Sequence, residues 1–174
     1  MKKMPARIIL AVAPFLVGMR WDSGGLGGLM VQPDSQYYHY ISGVYAGISS
    51  EKKKLCFRSS FLQRSPYQAS GFRDEEHGYF SHLGTLVAGS SQQGLLLYLG
   101  AGEMRGSLQK TGTNQKRSYN ITGFSLQTEY GVQLGGFYGA LTYHNFIGIQ
   151  QNNQVQAFVA WPFNYLFLRL GLEL

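Results

Sequence analysis

Tyr165-Leu-Phe-Leu-Arg-Leu-Gly-Leu-Glu-Leu174 alternates without interruption to the end of the chain. Leu166, Leu168, Leu170, Leu172 and Leu174 share one side of this period of two. Tyr165, Phe167, Arg169, Gly171 and Glu173 share the other. Successive side chains of a strand point to opposite faces. The segment is therefore a β-strand with a wide apolar face, and the charges of Arg169 and Glu173 on the opposite face require a polar interior or a partner.

The same period runs back through the sequence. Gln154 to Trp161 places Val155, Ala157, Val159 and Trp161 on one face. In Lys53 to Arg64, Leu55, Phe57, Ser59 and Phe61 oppose Lys54, Cys56, Arg58, Ser60 and Arg64. Thr122 to Tyr130 and Gly136 to Phe146 alternate likewise, and Tyr37 to Ile48, Glu76 to Ala88 and Gly94 to Gly106 are strand-like. No stripe of period 3.6 persists. That gives eight candidate strands of about ten residues, the length that crosses a bilayer when tilted near 45°. A sheet in lipid must close on itself to satisfy its edges. The expected fold is thus all-β: a closed antiparallel up-and-down barrel of the membrane type, about eight strands, over residues 37–174.

Composition agrees. The 174 residues fit one domain. Charged residues are 14%, against about 25% in soluble domains, while aromatics are also 14% and Gly supplies 23 positions. Mean hydropathy is −0.13. This excludes an acidic disordered chain, a helical-bundle membrane protein and, with Cys56 alone, a disulfide scaffold. Net charge is +6, yet no basic helix or aromatic-basic signature marks nucleic acid as a partner. Before the barrel, Lys2, Lys3 and Arg7 precede the uncharged run Ile8 to Met19, the order of an export signal. Residues 1–20 read as that segment and 21–36, with Ser23-Gly24-Gly25-Leu26-Gly27-Gly28, as a Gly-rich linker.

The closing strand resembles the C-terminal strand of bacterial outer-membrane barrels, which end on an apolar, usually aromatic, residue preceded by apolar residues at every second position. Here Leu174 stands where Phe is usual. The resemblance is to the class of small eight-stranded barrels, which includes adhesin-like barrels, lipid A deacylases and lipid A palmitoyltransferases. It implies an outer-membrane location, a C-terminus in the periplasm, and an assembly signal carried by Leu166, Leu168, Leu170, Leu172 and Leu174. With these strand limits the longer connections, 65–75, 107–121 and 147–153, would fall on the periplasmic side, whereas such barrels keep short turns there. Either a strand is miscounted or the barrel is decorated on its inner side.

Candidate chemistry is sparse. Arg58, Arg64, Glu129, Arg169 and Glu173 are expected inside, as an ion-pair network filling a pore-less barrel. Glu103 and Arg105 are expected to join them, because a charge facing lipid is costly. His144 shares its face with Thr142 and Tyr138 and is a weak catalytic candidate. A lipid A deacylase pairs its His with a Ser two residues away on the strand, and no Ser stands there. Ser81 and His82 are adjacent, hence on opposite faces. The spacing of His39, His77, His82 and His144 fits no metal site, and no phosphate loop, nucleophile elbow or zinc signature occurs, so no cofactor is expected. Tyr37, Tyr38, Tyr40, Tyr45, Tyr98, Tyr119, Tyr130, Tyr138, Tyr143 and Trp161 are expected as an interfacial aromatic girdle.

Three functions fit these expectations. The first is a non-catalytic barrel in the lipid bilayer. Its loop residues Lys52, Lys53, Lys110, Lys116 and Arg117 would contact lipopolysaccharide phosphates or another envelope protein. The second is a lipid A-modifying enzyme using His144. The third is a soluble lipocalin-like carrier with its leucines turned inward around an apolar ligand.

Overall fold

The computed structural model describes residues 19–31, 38–69, 72–151 and 158–173. Eight strands form one closed antiparallel barrel: β1 Met19–Val31, β2 Tyr38–Ser50, β3 Cys56–Ala69, β4 Phe72–Gly89, β5 Gln93–Lys110, β6 Lys116–Leu134, β7 Phe137–Gln151 and β8 Phe158–Glu173. Each strand pairs with the next, and β1 pairs with β8 to close the ring. A walk along the hydrogen-bond direction that leaves β8 at Leu170 passes Gly25, Val44, Phe61, Tyr79, Glu103, Thr122 and Ile149. It returns to β8 at Ala160, ten residues from its start. That stagger tilts the strands steeply to the barrel axis.

Two strand limits differ from the sequence expectation. The stretch read as a linker, 21–36, instead supplies most of β1, which pairs with both β2 and β8. Its glycines serve close packing: a Cβ at Gly24 would strike the Leu170 carbonyl, and one at Gly28 the Leu166 carbonyl. Bare backbone at these points lets the closing strands meet. The expected export segment lies outside the described residues except for Met19 and Arg20, which open β1. The second difference is that the two final candidate strands are one, β8, running through Pro162. Proline is tolerated because the β1–β8 ladder stops at Val31 and Asn164, so Pro162 pairs only with Ile147 of β7. The fusion at the back reverses the parity of every connection counted from the C-terminus, and the strand added in front keeps the total at eight. The short turns 51–55, 90–92 and 135–136 lie at the end that carries Met19 and Glu173, called here the terminal end. Residues 65–69, 72–75, 107–121 and 147–151 lie at the opposite, loop end, most of them as strand projecting beyond the band described next.

The outer wall is apolar around its girth. Leu166, Leu168, Leu170 and Leu172 of β8 are exposed, with Leu141 and Ile147 of β7, Leu126 of β6, Leu97 and Leu99 of β5 and Leu83 of β4. Rings border the band: Trp21 and Phe137 toward the terminal end, Tyr40, Tyr79 and Phe124 toward the loop end. The expected girdle is therefore only partly tyrosine. Tyr40, Tyr130 and Tyr143 face outward, but Tyr45, Tyr98 and Tyr138 are buried in the interior and Tyr119 packs against its apolar cluster. Tyr37 lies outside the described residues.

Inside, side chains fill the barrel in layers. The apolar cluster of Met30, Ile41, Leu62, Phe80, Met104, Ile121, Phe146 and Phe163 crosses the lumen. Charged groups lie on either side of it. An eight-stranded barrel is just wide enough for such filling, and with Met30 and Phe146 fully enclosed the apolar layer separates the two polar ones.

Candidate functional site

The larger polar layer centres on Glu129 of β6, which is fully buried. One carboxylate oxygen, Oε2, lies 2.8 Å from Arg58 Nη1 and 3.3 Å from Arg169 Nε, and accepts from Thr142 Oγ1 at 3.0 Å. The other, Oε1, accepts from the Tyr138 hydroxyl at 2.5 Å. Arg58 also reaches Asp22 of β1 at 2.9 Å. Four strands and the chain's first strand are thereby tied across the lumen. The two guanidinium groups do not face each other bare: Arg169 lies 4.3 Å from the Tyr45 ring centroid and Arg58 4.8 Å from that of Tyr98.

Below this layer the β2–β3 turn folds into the terminal mouth. Lys53, a loop contact in the sequence reading, is instead buried there with φ of 53°. Its ammonium sits 2.9 Å from Glu173 Oε2 and 4.5 Å from the Tyr138 ring centroid. Its own backbone accepts from the Leu86 amide at 2.8 Å. Glu173 also pairs with Arg20 at 3.2 Å. The last described residue of β8 is thus clasped by β1 and by the turn. The reason for the correction is electrostatic: the Glu173 carboxylate is buried, its Arg20 partner is half-exposed at the rim, and the Lys53 ammonium folded inward gives it a buried one.

Toward the loop end, Arg64 pairs with Asp74 and, at 3.0 Å, with Glu76, which accepts from the Tyr119 hydroxyl at 3.1 Å. The structure therefore places Arg58, Arg64, Glu129, Arg169 and Glu173 inside. It places Glu103 and Arg105 outside, on the outer face of β5 either side of buried Met104. The parity of β5 forces this. The cost is avoided because both residues lie beyond Leu95, Leu97, Leu99 and Ala101, at the edge of the apolar band, and because they pair, Arg105 Nε to Glu103 Oε1 at 2.8 Å.

His144 is buried beside the His82 ring, 5.1 Å between centroids, and stacked on Tyr165 at 5.2 Å. His82 Nε2 lies 2.7 Å from Ser125 Oγ, a pair across β4 and β6 that sequence reasoning missed. The only sequence signal for it is shared inward parity. A hydroxyl on an imidazole is half of a nucleophile relay. Here, among the described residues, no carboxylate orients the ring and His82 Nδ1 has no hydrogen-bond partner, and both residues are enclosed. Among the described residues no cluster of His, Cys, Asp and Glu fits a metal ion. Leu166, Leu168, Leu170 and Leu172 all face outward, and Leu174 lies outside the described residues. The basic positions are divided: Lys52 is exposed at the terminal end, whereas Lys110 and Lys116 are exposed at the loop end, beside Arg117 in β6.

No protein-family profile and no curated protein matches the sequence. Solved structures of small eight-stranded outer-membrane barrels do match the fold. Neisserial surface protein A (NspA) superposes with a TM-score of 0.66 at 12% identity, over 89% of this chain and 96% of that one. Ail, the attachment invasion locus protein of Yersinia pestis, solved in complex with the heparin analogue sucrose octasulfate, gives 0.59 at 12% identity over 90% and 97%. The N-terminal β-barrel domain of Pseudomonas aeruginosa OprF gives 0.52 at 10% identity over 90% and 98%.

Proposed function

We propose that this chain is a non-catalytic outer-membrane barrel whose loop end faces outward and contacts the phosphates of lipopolysaccharide. The observation that carries the reading is the continuous outward apolar band around a lumen sealed by side chains. Such a wall is stable in hydrocarbon, and among the described residues the lumen offers neither a pore nor an apolar ligand cavity. The lipocalin-like alternative needs the leucines of β8 inside, and they are outside. Lys110 and Lys116 support the anionic partner. So does the polysulfated sugar in the Ail complex, which shows a barrel of this fold taking a dense anion.

The test is retention of the refolded barrel, in mild detergent, on immobilised lipopolysaccharide. Charge reversal at Lys110, Lys116 and Arg117 together is expected to weaken retention at least tenfold. Reversal at Lys52, on the opposite end, is expected to leave it unchanged. An unmodified protein that is not retained would overturn the reading.

A further inference from the structure

The outer wall is not uniformly covered. One hydrogen-bond row of outward residues is small throughout: Ser23, Ala46, Ser59, Ser81 and Ala101 are successive partners on β1 to β5. Larger side chains stand two residues away on each side, Val44, Phe61 and Tyr79 toward the loop end and Leu83 and Leu99 toward the terminal end. At about 3.3 Å per residue these walls stand roughly 7 Å to either side of the floor, wide enough for one hydrocarbon chain. On the loop-end side of this floor, against Val44, Phe61 and Tyr79, the trough is an open concavity of about 730 Å³. The Ser59 and Ser81 hydroxyls on its floor bond each other at 3.1 Å, so they present little unmet polarity to a hydrocarbon.

The barrel's stagger gives the trough a direction. Rows along the hydrogen-bond direction climb toward the loop end from β1 to β8, as the walk from Leu170 to Ala160 shows. The trough therefore starts deep in the apolar band at Ala46 and rises to Ala101, the last apolar outward residue of β5. The next outward residues are Glu103 and Arg105, and there the trough meets a second concavity of about 540 Å³ lined by His77, Arg105, Lys116 and Asn120. Glu103 accepts from Asn120 Nδ2 at 2.6 Å and from the Nε and Nη2 edge of Arg105. This fixes the guanidinium and leaves its Nη1 nitrogen without an ion pair or hydrogen bond among the described residues. Around this rim Arg73, Arg105, Lys110 and Lys116 outnumber the exposed carboxylates Glu75 and Glu103. The charge suits a phosphate, and the trough below suits the chain that hangs from it.

We propose that this wall is a lipopolysaccharide-binding site, with a lipid phosphate on Arg105 and Lys116 and one acyl chain lying in the trough from Ala101 down to Ala46. The site rests on the orientation and partner given under Proposed function, and it adds a fixed place for one lipid molecule on the barrel's side. The experiment is quantification of lipid that co-purifies with the barrel extracted from an outer membrane in mild detergent. Lipopolysaccharide is read by its 3-hydroxy fatty acids and phospholipid by headgroup analysis. The unmodified protein is expected to carry about one tightly held lipopolysaccharide. Arg105→Glu is expected to lower that at least fivefold, and so is Ala101→Trp, which fills the trough's upper end. Ser81→Leu fills it lower down and serves if Ala101→Trp does not fold, folding being judged by gel mobility with and without boiling. Undiminished lipopolysaccharide in folded Arg105→Glu and in a folded trough variant would overturn the site. If the loop triple variant still loses retention on immobilised lipopolysaccharide, that result would leave the broader function standing. Phospholipid in place of lipopolysaccharide on the unmodified barrel would also overturn the site.

Discussion

Replacing Glu129 by Gln is expected to destabilise the barrel by about 3–5 kcal/mol, the cost of stranding buried cations by removing their common partner. Glu129 is the one carboxylate shared by Arg58 and Arg169, and Tyr138 and Thr142 donate to it as well. A neutral amide keeps the shape and removes the charge. Both guanidinium groups then remain fully enclosed, with only Asp22 left to face Arg58. The measurement is urea unfolding in phosphatidylcholine vesicles, followed by the fluorescence of Trp21 and Trp161. A quadruple variant, Asp22→Asn, Arg58→Met, Arg169→Met and Glu129→Leu, replaces the cations and both anions together and is expected to recover much of the loss, because an apolar or neutral filling needs no charge compensation. A change under about 0.5 kcal/mol for Glu129→Gln would show that the network is not what fixes the lumen.

The second large effect is on the opposite face of β8. Leu168→Arg is expected to cost about 2–4 kcal/mol in the same vesicle assay, and Leu172→Arg, nearer the terminal rim, about 0–1 kcal/mol. Both leucines are exposed, so in a water-soluble barrel both substitutions would be close to neutral. The gradient between them, rather than either value, reports the position of the hydrocarbon. Equal and small effects would mean that this face does not meet lipid.

The sequence made the architecture readable where one strand alternates cleanly and hid it where backbone does the packing. Leu166 to Leu172 and Arg169 announce a two-faced wall because side chains carry the pattern. β1 does not, since Gly24 and Gly28 work by lacking a side chain, and a run of glycine reads as linker until its neighbours in space are known. Splitting β8 at Pro162 is what put the long connections at the wrong end. Arg58, Arg64 and Glu129 were legible as interior groups from strand parity. Glu103 and Arg105 were not, because the cost argument assumes a residue inside the apolar band, and strands of 18 residues such as β5 run past it. The tyrosines divide for a related reason. A girdle position and an interior hydrogen-bond donor to Glu129 ask for the same residue type, and parity alone separates Tyr138 from Tyr143. Lys53 and the His82–Ser125 pair depend on how a turn folds back and on which strands meet across the lumen, neither of which is local.

A closed barrel in the outer membrane with its leucines toward lipid has a signature in electrophoresis. The most direct measurement is electrophoresis of a cell-envelope fraction in detergent, with and without boiling. A barrel sealed by its own hydrogen bonds and by the Glu129 network resists the detergent until heated, so this chain is expected in the outer-membrane fraction with a mobility shift on boiling alone. Recovery in the soluble fraction with no shift would contradict it.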